Sequence, residues 1–83
     1  MTGDFPGRAW CEEGQIHLDT RGLTPPDPMV AILWHVERGL SPLVVHMDRE
    51  PVHLFPELRE RSWAWELVDP TPGRVRLILR ARP

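Results

Sequence analysis

The 83-residue sequence contains no lysine, asparagine or tyrosine, and Cys11 is its one cysteine. A single cysteine excludes an internal disulfide and a metal knuckle built on a Cys-x-x-Cys pair. Its apolar runs fall far short of the roughly 20 residues that a membrane-spanning helix requires. Residues 1–6 lack the basic and apolar regions of a secretory signal peptide. We therefore expect a soluble cytoplasmic protein with no membrane partner.

Charge and composition narrow the class of protein. All ten basic residues are arginine, twelve residues are acidic, and the formal net charge is −2. This balance provides no general attraction to nucleic acid, so we expect no nucleic-acid partner. Apolar residues make up 41% of the chain, which is ordinary for a folded protein and argues against disorder. The length predicts one small domain, with a core that buries about 60–65% of the unfolded chain's surface.

A proline-rich segment, Pro25-Pro26-Asp27-Pro28, follows a strand-like segment at 15–19 and a turn at 20–23. Prolines are compatible with the first turn of a helix, because the opening helical residues have no intrahelical partner for an N–H group. The pattern therefore predicts a strand, then a tight turn, then the start of a helix.

The run from Leu18 to Met29, LDTRGLTPPDPM, resembles the signature of the TusA/SirA-like sulfur-carrier family. That family has Cys-Pro-x-Pro at this place, with its cysteine at the helix start, and Pro25 stands at the cysteine position here. The segment 46–51, HMDREP, is similar to a second signature of a cysteine-less, largely uncharacterised branch of the family. The resemblance covers about residues 16–82 and implies the family's α+β architecture.

The predicted fold is α+β, a two-layer βαβαββ sandwich with a mixed four-stranded sheet and two helices on one face. The first helix is indicated by an apolar stripe at helical spacing, formed by Met29, Ile32, Leu33, Val36 and Leu40. A second, shorter helical segment opens at Asp48 and extends to about Arg61. The predicted strands lie at 15–19, 43–47, 63–67 and 74–82.

Residues 1–13 mix glycine, proline and charged residues, so we predict a loosely held N-terminal arm there and a TusA-like domain at 14–83. The predicted core residues share an apolar position on a helix or strand. They are Met29, Ile32, Leu33, Val36, Val44 or Val45, Leu58, Leu77 and Leu79.

The topology predicts a functional edge. A right-handed crossover between two parallel strands brings their carboxyl ends to the same edge of the sheet, beside two helix N-termini. The candidate binding residues at this signature edge are Arg21, Pro25, Pro26, His46, Asp48, Arg49 and His53. Helix N-termini and arginines favour an anion or the carboxylates of a partner. In the alternative reading, Asp48 or Glu50 caps the second helix and pairs with Arg21, which leaves nothing for a ligand.

Two other chemistries use different residues. A thiolate at the helix start would carry a persulfide, and Pro25 removes that chemistry, because it has no sulfur. Cys11 lies before the first predicted strand and matches no family motif, so a carrier relocated to Cys11 is a rival reading. A metal-binding accessory protein would use His46 and His53 with Asp48, although their spacing matches no known metal-site motif.

The last predicted strand and the first helix each carry one further surface feature. The four arginines of the strand, Arg74, Arg76, Arg80 and Arg82, share one face. They form either a dock for RNA or an acidic protein or a solvated edge opposite Glu66, and the net charge of −2 favours the solvated edge. Trp34 projects away from the apolar stripe beside Arg38. It is either a partner anchor, or it lies over Arg38 or is covered by the N-terminal arm.

These observations predict a non-enzymatic TusA-like domain that binds a partner protein or a small anion at the signature edge. The resemblance implies a docking edge, because the carrier edge of the family also docks partner proteins. No cofactor or metal is expected. The rivals are sulfur transfer through Cys11 and a histidine-based metal-binding accessory protein.

Overall fold

The computed structural model describes residues 7–82. They form an α+β domain with two helices and one five-stranded mixed sheet. In chain order the elements are β1 (Arg8–Glu12), β2 (Gln15–Asp19), α1 (Asp27–Glu37), β3 (Leu43–Met47), α2 (Leu54–Glu60), β4 (Trp63–Asp69) and β5 (Val75–Ala81). The sheet order is β1-β2-β3-β5-β4; β2 and β3 are parallel, and the other neighbouring pairs are antiparallel. The predicted α+β class and mixed sheet are confirmed.

Strand β1 corrects the predicted four-stranded sheet and its βαβαββ order. Arg8–Glu12 pair with β2 in antiparallel register instead of forming part of a loose arm. A two-residue turn joins the strands, and its residues Glu13 and Gly14 have positive φ angles of 54° and 78°. Such a turn follows the twist of a hairpin, and glycine adopts its second position at no steric cost. Residues 1–6 of the predicted arm lie outside the described residues.

One face of the sheet carries the hydrophobic core. Alternate residues of the two central strands are buried on it, namely Leu43, Val45 and Met47 of β3 and Val75, Leu77 and Leu79 of β5. They form a single cluster with buried residues from both helices, so both helices cover this face. The opposite face of the sheet is called the open face below. The predicted core residues that are buried in this cluster are Ile32, Val36, Val45, Leu58, Leu77 and Leu79.

Helix α1 presents a slightly rotated face to the core compared with the predicted stripe. Its buried residues are Ala31, Ile32, His35 and Val36. Met29 and Leu33, predicted as core residues, are partly buried and pack against the cluster. His35 is tolerated inside because its Nδ1–H donates a 2.9 Å hydrogen bond to the carbonyl oxygen of Ala31. Apolar periodicity alone does not identify a histidine as a buried residue.

The helices are short, with 11 residues in α1 and 7 in α2. Helix α2 begins at Leu54, whose N–H donates to the carbonyl oxygen of Pro51 at 2.9 Å. Pro56 is then the third helical residue, where a missing N–H has no intrahelical partner to lose. Within residues 7–82, neither helix is long and apolar enough to cross a membrane.

Replacing Ile32 by alanine tests where the centre of the core lies. Ile32 is fully buried, so Ile32→Ala is expected to lower the free energy of unfolding by about 2–5 kcal/mol. Leu33→Ala is the matched variant, and it is expected to cost clearly less because Leu33 is only partly buried. Urea unfolding of both variants provides the measurement. An equal or larger cost for Leu33→Ala would show that the apolar stripe, and not the observed face, is the buried one.

Candidate functional site

A cleft lies where β2 and β3 end and α1 begins. Its volume is about 180 Å³, and it is lined by Thr20, Leu23, Pro25, Pro28, Met47, Asp48 and Arg49. This recess is called the signature cleft below, because its residues come from segments 18–29 and 46–51, the two segments predicted as signatures. It contains three of the predicted binding residues, Pro25, Asp48 and Arg49.

Two hydrogen-bonded contacts hold the signature cleft in shape. Thr20, which is buried, donates both its backbone N–H, at 2.9 Å, and its hydroxyl, at 3.1 Å, to the carbonyl oxygen of His46. The end of β2 is thereby fastened to the end of β3. A carboxylate oxygen of Asp48 accepts the N–H of Gly22 at 2.8 Å, and Gly22 has a φ of 84° that suits glycine. Asp48 therefore holds the turn that precedes α1.

The charged residues at this edge do not pair as the alternative predicts, in which Asp48 or Glu50 caps the second helix and pairs with Arg21. Arg21 pairs with Asp19, not with Asp48, through two hydrogen bonds of 2.9 Å from Nε and Nη2. These bonds hold the pKa of Asp19 below its ordinary value, because Arg21 stabilises the ionised carboxylate. Asp48 does not cap α2, which has no side-chain cap. Arg49 is exposed and makes no ion pair with any residue in the range 7–82.

The start of α1 offers little to an anion. Pro26 and Pro28 have no N–H, and the N–H of Asp27 already donates to the carbonyl oxygen of Thr24 at 2.9 Å. The carboxylate of Asp27 also lies in the first turn. The positive end of the helix dipole is thus compensated from within the chain.

A row of four charged residues and one histidine crosses the open face. Cross-strand pairing places one residue from each strand in line, in the order Arg8, Asp19, His46, Arg76 and Asp69. Directly paired residues point to the same side of a sheet, so these five side chains share the open face. The sequence predicts outward arginines on the last strand. Cross-strand pairing places acidic residues of the neighbouring strand, such as Asp69, beside them.

His17 forms a hydrogen-bonded pair with His46, which is the middle residue of this row. Nδ1 of His17 lies 3.1 Å from Nε2 of His46, the ring centroids are 5.3 Å apart, and the ring planes differ by 18°. A ring nitrogen lies about 1.2 Å from its ring centre, so an in-line contact of this length gives a centre separation of about 5.5 Å. The imidazoles therefore lie edge to edge in nearly one plane. Trp10 packs beside both, with centroid distances of 5.2 and 5.6 Å.

The structure does not bring together the three residues that the metal-binding alternative names. His46, Asp48 and His53 do not form a ligand group, and no cluster of three or more potential ligands occurs among residues 7–82. The His17 and His46 nitrogens are closer together, but they face each other along one line. A metal ion between them would need a separation of about 4 Å, because zinc–nitrogen bonds are about 2.0–2.1 Å.

A second cleft, of about 210 Å³, opens beside the histidine pair on the open face. Its lining residues are Arg21, His46, Asp69, Arg74, Val75 and Arg76. This recess is called the open-face cleft below. Two of the predicted binding residues, Arg21 and His46, line it and do not line the signature cleft. The predicted signature edge therefore comprises two recesses with different chemistry, one mainly apolar and one mainly charged.

The remaining predicted residues lie outside both clefts. Pro26 and His53 are exposed, and neither lines a cleft. Trp34 is 40% exposed, and the guanidinium of Arg38 lies 3.8 Å from the centre of its ring. This cation–π contact covers one face of the indole, as the second reading of Trp34 predicts. Cys11 is exposed on β1.

The sequence does not identify Trp10 and His17 as site residues, because their positions depend on the β1–β2 hairpin, which was not predicted. The signal was present in the alternation of Arg8, Trp10 and Glu12 and in the Glu13-Gly14 turn that follows.

Comparison with known proteins places the chain by family only. The model of the DUF2249 family, described as an uncharacterized conserved protein, matches residues 17–81. Neither a curated protein nor a solved structure matches the sequence.

Acidification tests the histidine pair. The pKa of His46 lies below its ordinary value of 6.5, mainly because burial and then the neighbouring His17 disfavour the charged ring. The unfolded chain therefore binds more protons than the folded one below about pH 6.5, and folding stability falls as the pH drops through the lowered pKa. Denaturant unfolding at about pH 7.5 and about pH 5 is expected to show a larger loss for the parent protein than for His46→Gln. Equal losses in the two proteins would contradict the lowered pKa.

Proposed function

We propose that this chain, which belongs to the DUF2249 family, is a non-enzymatic binding domain that docks a partner protein at the signature cleft. The observation that carries the proposal is the composition of the cleft: apolar walls and an arginine that has no ion pair among residues 7–82. The resemblance of its two segments to TusA-like signatures supports a docking role at this edge. We further propose that the protein works in the cytoplasm.

The apolar walls of the signature cleft are preorganised. Leu23, Pro25, Pro28 and Met47 supply apolar surface. The proline rings have few conformations to lose, and Thr20 and Asp48 hold the surrounding backbone by hydrogen bonds. A rigid apolar recess loses little conformational entropy when it accepts a side chain, which favours binding.

The charges around the cleft define the partner's chemistry. The carboxylate of Asp48 is engaged by the N–H of Gly22, whereas Arg49 is exposed and has no ion pair within the described residues. An arginine at the rim of an apolar recess is suited to a carboxylate beside a buried anchor. We therefore propose a partner segment with an apolar side chain for the recess and an acidic residue for Arg49.

A small free anion is the weaker candidate for this cleft. Asp48 lines it with a negative charge, Asp27 lies in the first turn of the adjoining helix α1, and the prolines at the start of α1 remove N–H donors. An isolated anion would also leave the apolar walls exposed to water. These features favour a protein side chain over an ion.

Sulfur transfer through Cys11 requires chemistry away from this cleft. Cys11 pairs with Ile16 at the beginning of β2, whereas Thr20 follows the end of that strand. Four residues of extended chain span about 13 Å, so the thiol lies about that far along the sheet from the cleft. Pro25 itself supplies no sulfur. We therefore propose a docking role without sulfur transfer.

Replacing Arg49 tests the docking surface. Chemical cross-linking in the source cells, with the full chain as bait, identifies partners, and each one is then purified and its affinity measured directly. Arg49→Ala is expected to weaken that affinity at least about five-fold while changing the free energy of unfolding by at most about 1 kcal/mol. Arg80→Ala is the control, because Arg80 is also exposed but lies on the open face. Equal affinities for parent and Arg49→Ala, or an equal loss in the control, would refute docking at this cleft.

Sulfur loading separates the docking role from the rival carrier role. The protein is incubated with a cysteine desulfurase and cysteine, and its intact mass is then measured. We expect no stable sulfur adduct, because Pro25 replaces the carrier thiol and Cys11 lies on the exposed strand β1, outside the lining of the signature cleft. Cys11→Ser treated in parallel identifies any adduct that does form. A stable adduct that is absent from Cys11→Ser would establish the rival carrier reading.

A further inference from the structure

We propose that the open-face cleft is a binding site for a small tetrahedral oxyanion of the sulfate and phosphate class, held by Arg76, Arg21 and His46. This site goes beyond the docking function, since it lies on the open face and has different lining residues. Either site can therefore fail without the other.

Arg76 supplies the uncompensated charge of the open-face cleft. It lies between His46 and Asp69 in the charged row. Asp69, however, directs its carboxylate to the N–H of Thr71 at 3.0 Å and to the guanidinium of Arg74 at 3.7 Å. Within the part of the chain that the structure describes, no ion pair involves Arg76.

The other arginines add charge and donors. Arg21 uses Nε and Nη2 on Asp19, which leaves the Nη1 group of the same guanidinium free of a described hydrogen-bond partner. Arg74 stands 3.7 Å from Asp69, beyond ordinary hydrogen-bond length. With three arginines and one aspartate in its lining, the cleft carries net positive charge. Guanidinium groups match the geometry of sulfate and phosphate oxygens, which is the basis of arginine-rich oxyanion sites.

The histidine pair supplies an oriented neutral donor. Either ring can be the donor in this contact; in the proposed site Nδ1–H of His17 donates to Nε2 of His46, so a neutral His46 carries its own proton on Nδ1. That nitrogen has no hydrogen-bond partner among the described residues, and His46 lines the cleft. His17 thus acts as a positioning residue that selects the tautomer of His46 able to donate to an anion.

Nucleic acid is a poorer fit to this face than a single small anion. Glu12, Asp19, Glu66 and Asp69 are interspersed with the arginines on the same side of the sheet. Their negative charges would oppose a long run of phosphates, whereas the uncompensated charge at Arg76 is local. One compact oxyanion fits this distribution.

A sulfate titration of the full chain tests the site. Binding is followed by the nitrogen and proton resonances of the His46 ring, with chloride adjusted to keep the ionic strength constant. We expect a saturable response, a similar one with inorganic phosphate, and a clearly weaker one with acetate, which has a single charge and only two oxygens to share among the arginines. Arg76→Gln is expected to weaken sulfate binding by about ten-fold or more, because it removes charge-assisted hydrogen bonds. Arg80→Gln is the matched control on the same strand and face, and is expected to change the affinity less than about two-fold.

A further variant tests the positioning role of His17. His17→Phe keeps a ring beside Trp10 but removes Nδ1, so His46 is expected to lose its preference for the Nδ1–H tautomer, seen in its nitrogen resonances, and to bind sulfate several-fold more weakly. Arg49→Ala is expected to leave sulfate binding unchanged, which separates this site from the signature cleft. A response that does not saturate, equal losses in Arg76→Gln and Arg80→Gln, or an unchanged tautomer with unchanged affinity in His17→Phe would overturn the proposal.

Discussion

The junction between the ends of β2 and β3 determines both recesses of this protein. Thr20 closes that junction by giving its N–H and its hydroxyl to the same carbonyl oxygen, that of His46. A parallel pair has no tight turn to hold its strand ends together, so such a contact keeps the two ends in register. The turn toward α1 and the segment after β3 then leave the sheet from fixed points, and the walls of the signature cleft follow from this.

The alternation of side chains along β3 explains why one edge of the sheet has two kinds of chemistry. Val45 and Met47 face the helices, whereas His46 between them faces the opposite side. Met47 therefore contributes to the apolar signature cleft, and His46 contributes to the charged open-face cleft. Neighbouring residues of one sequence motif therefore contribute to different surfaces. When the motif is treated as one site, these two surfaces cannot be distinguished.

Local sequence patterns predicted most helices and strands. The features that were not predicted depend on pairing between distant segments of the chain. The proline segment and the apolar stripe located α1, and valine-rich 43–47 located β3, because helix starts and buried strands leave local signals. The place of Arg8–Glu12 in the sheet depends on pairing with β2, and the meeting of His46 with Arg76 depends on register across 30 residues of chain. Composition does not encode such register. Arg21 and Arg49, predicted at one edge, line different clefts, and Arg21 pairs with Asp19 on the open face.

The carboxylates beside these clefts shape them as much as the arginines do. Asp48 accepts the N–H of Gly22, and Asp19 pairs with Arg21, so neither carboxylate forms an ion pair with Arg49 or Arg76. Arg49 and Arg76 have no ion pairs among residues 7–82, one at the apolar recess and one at the charged cleft. Selective pairing of this kind lets a domain with net charge −2 present two separate positive positions.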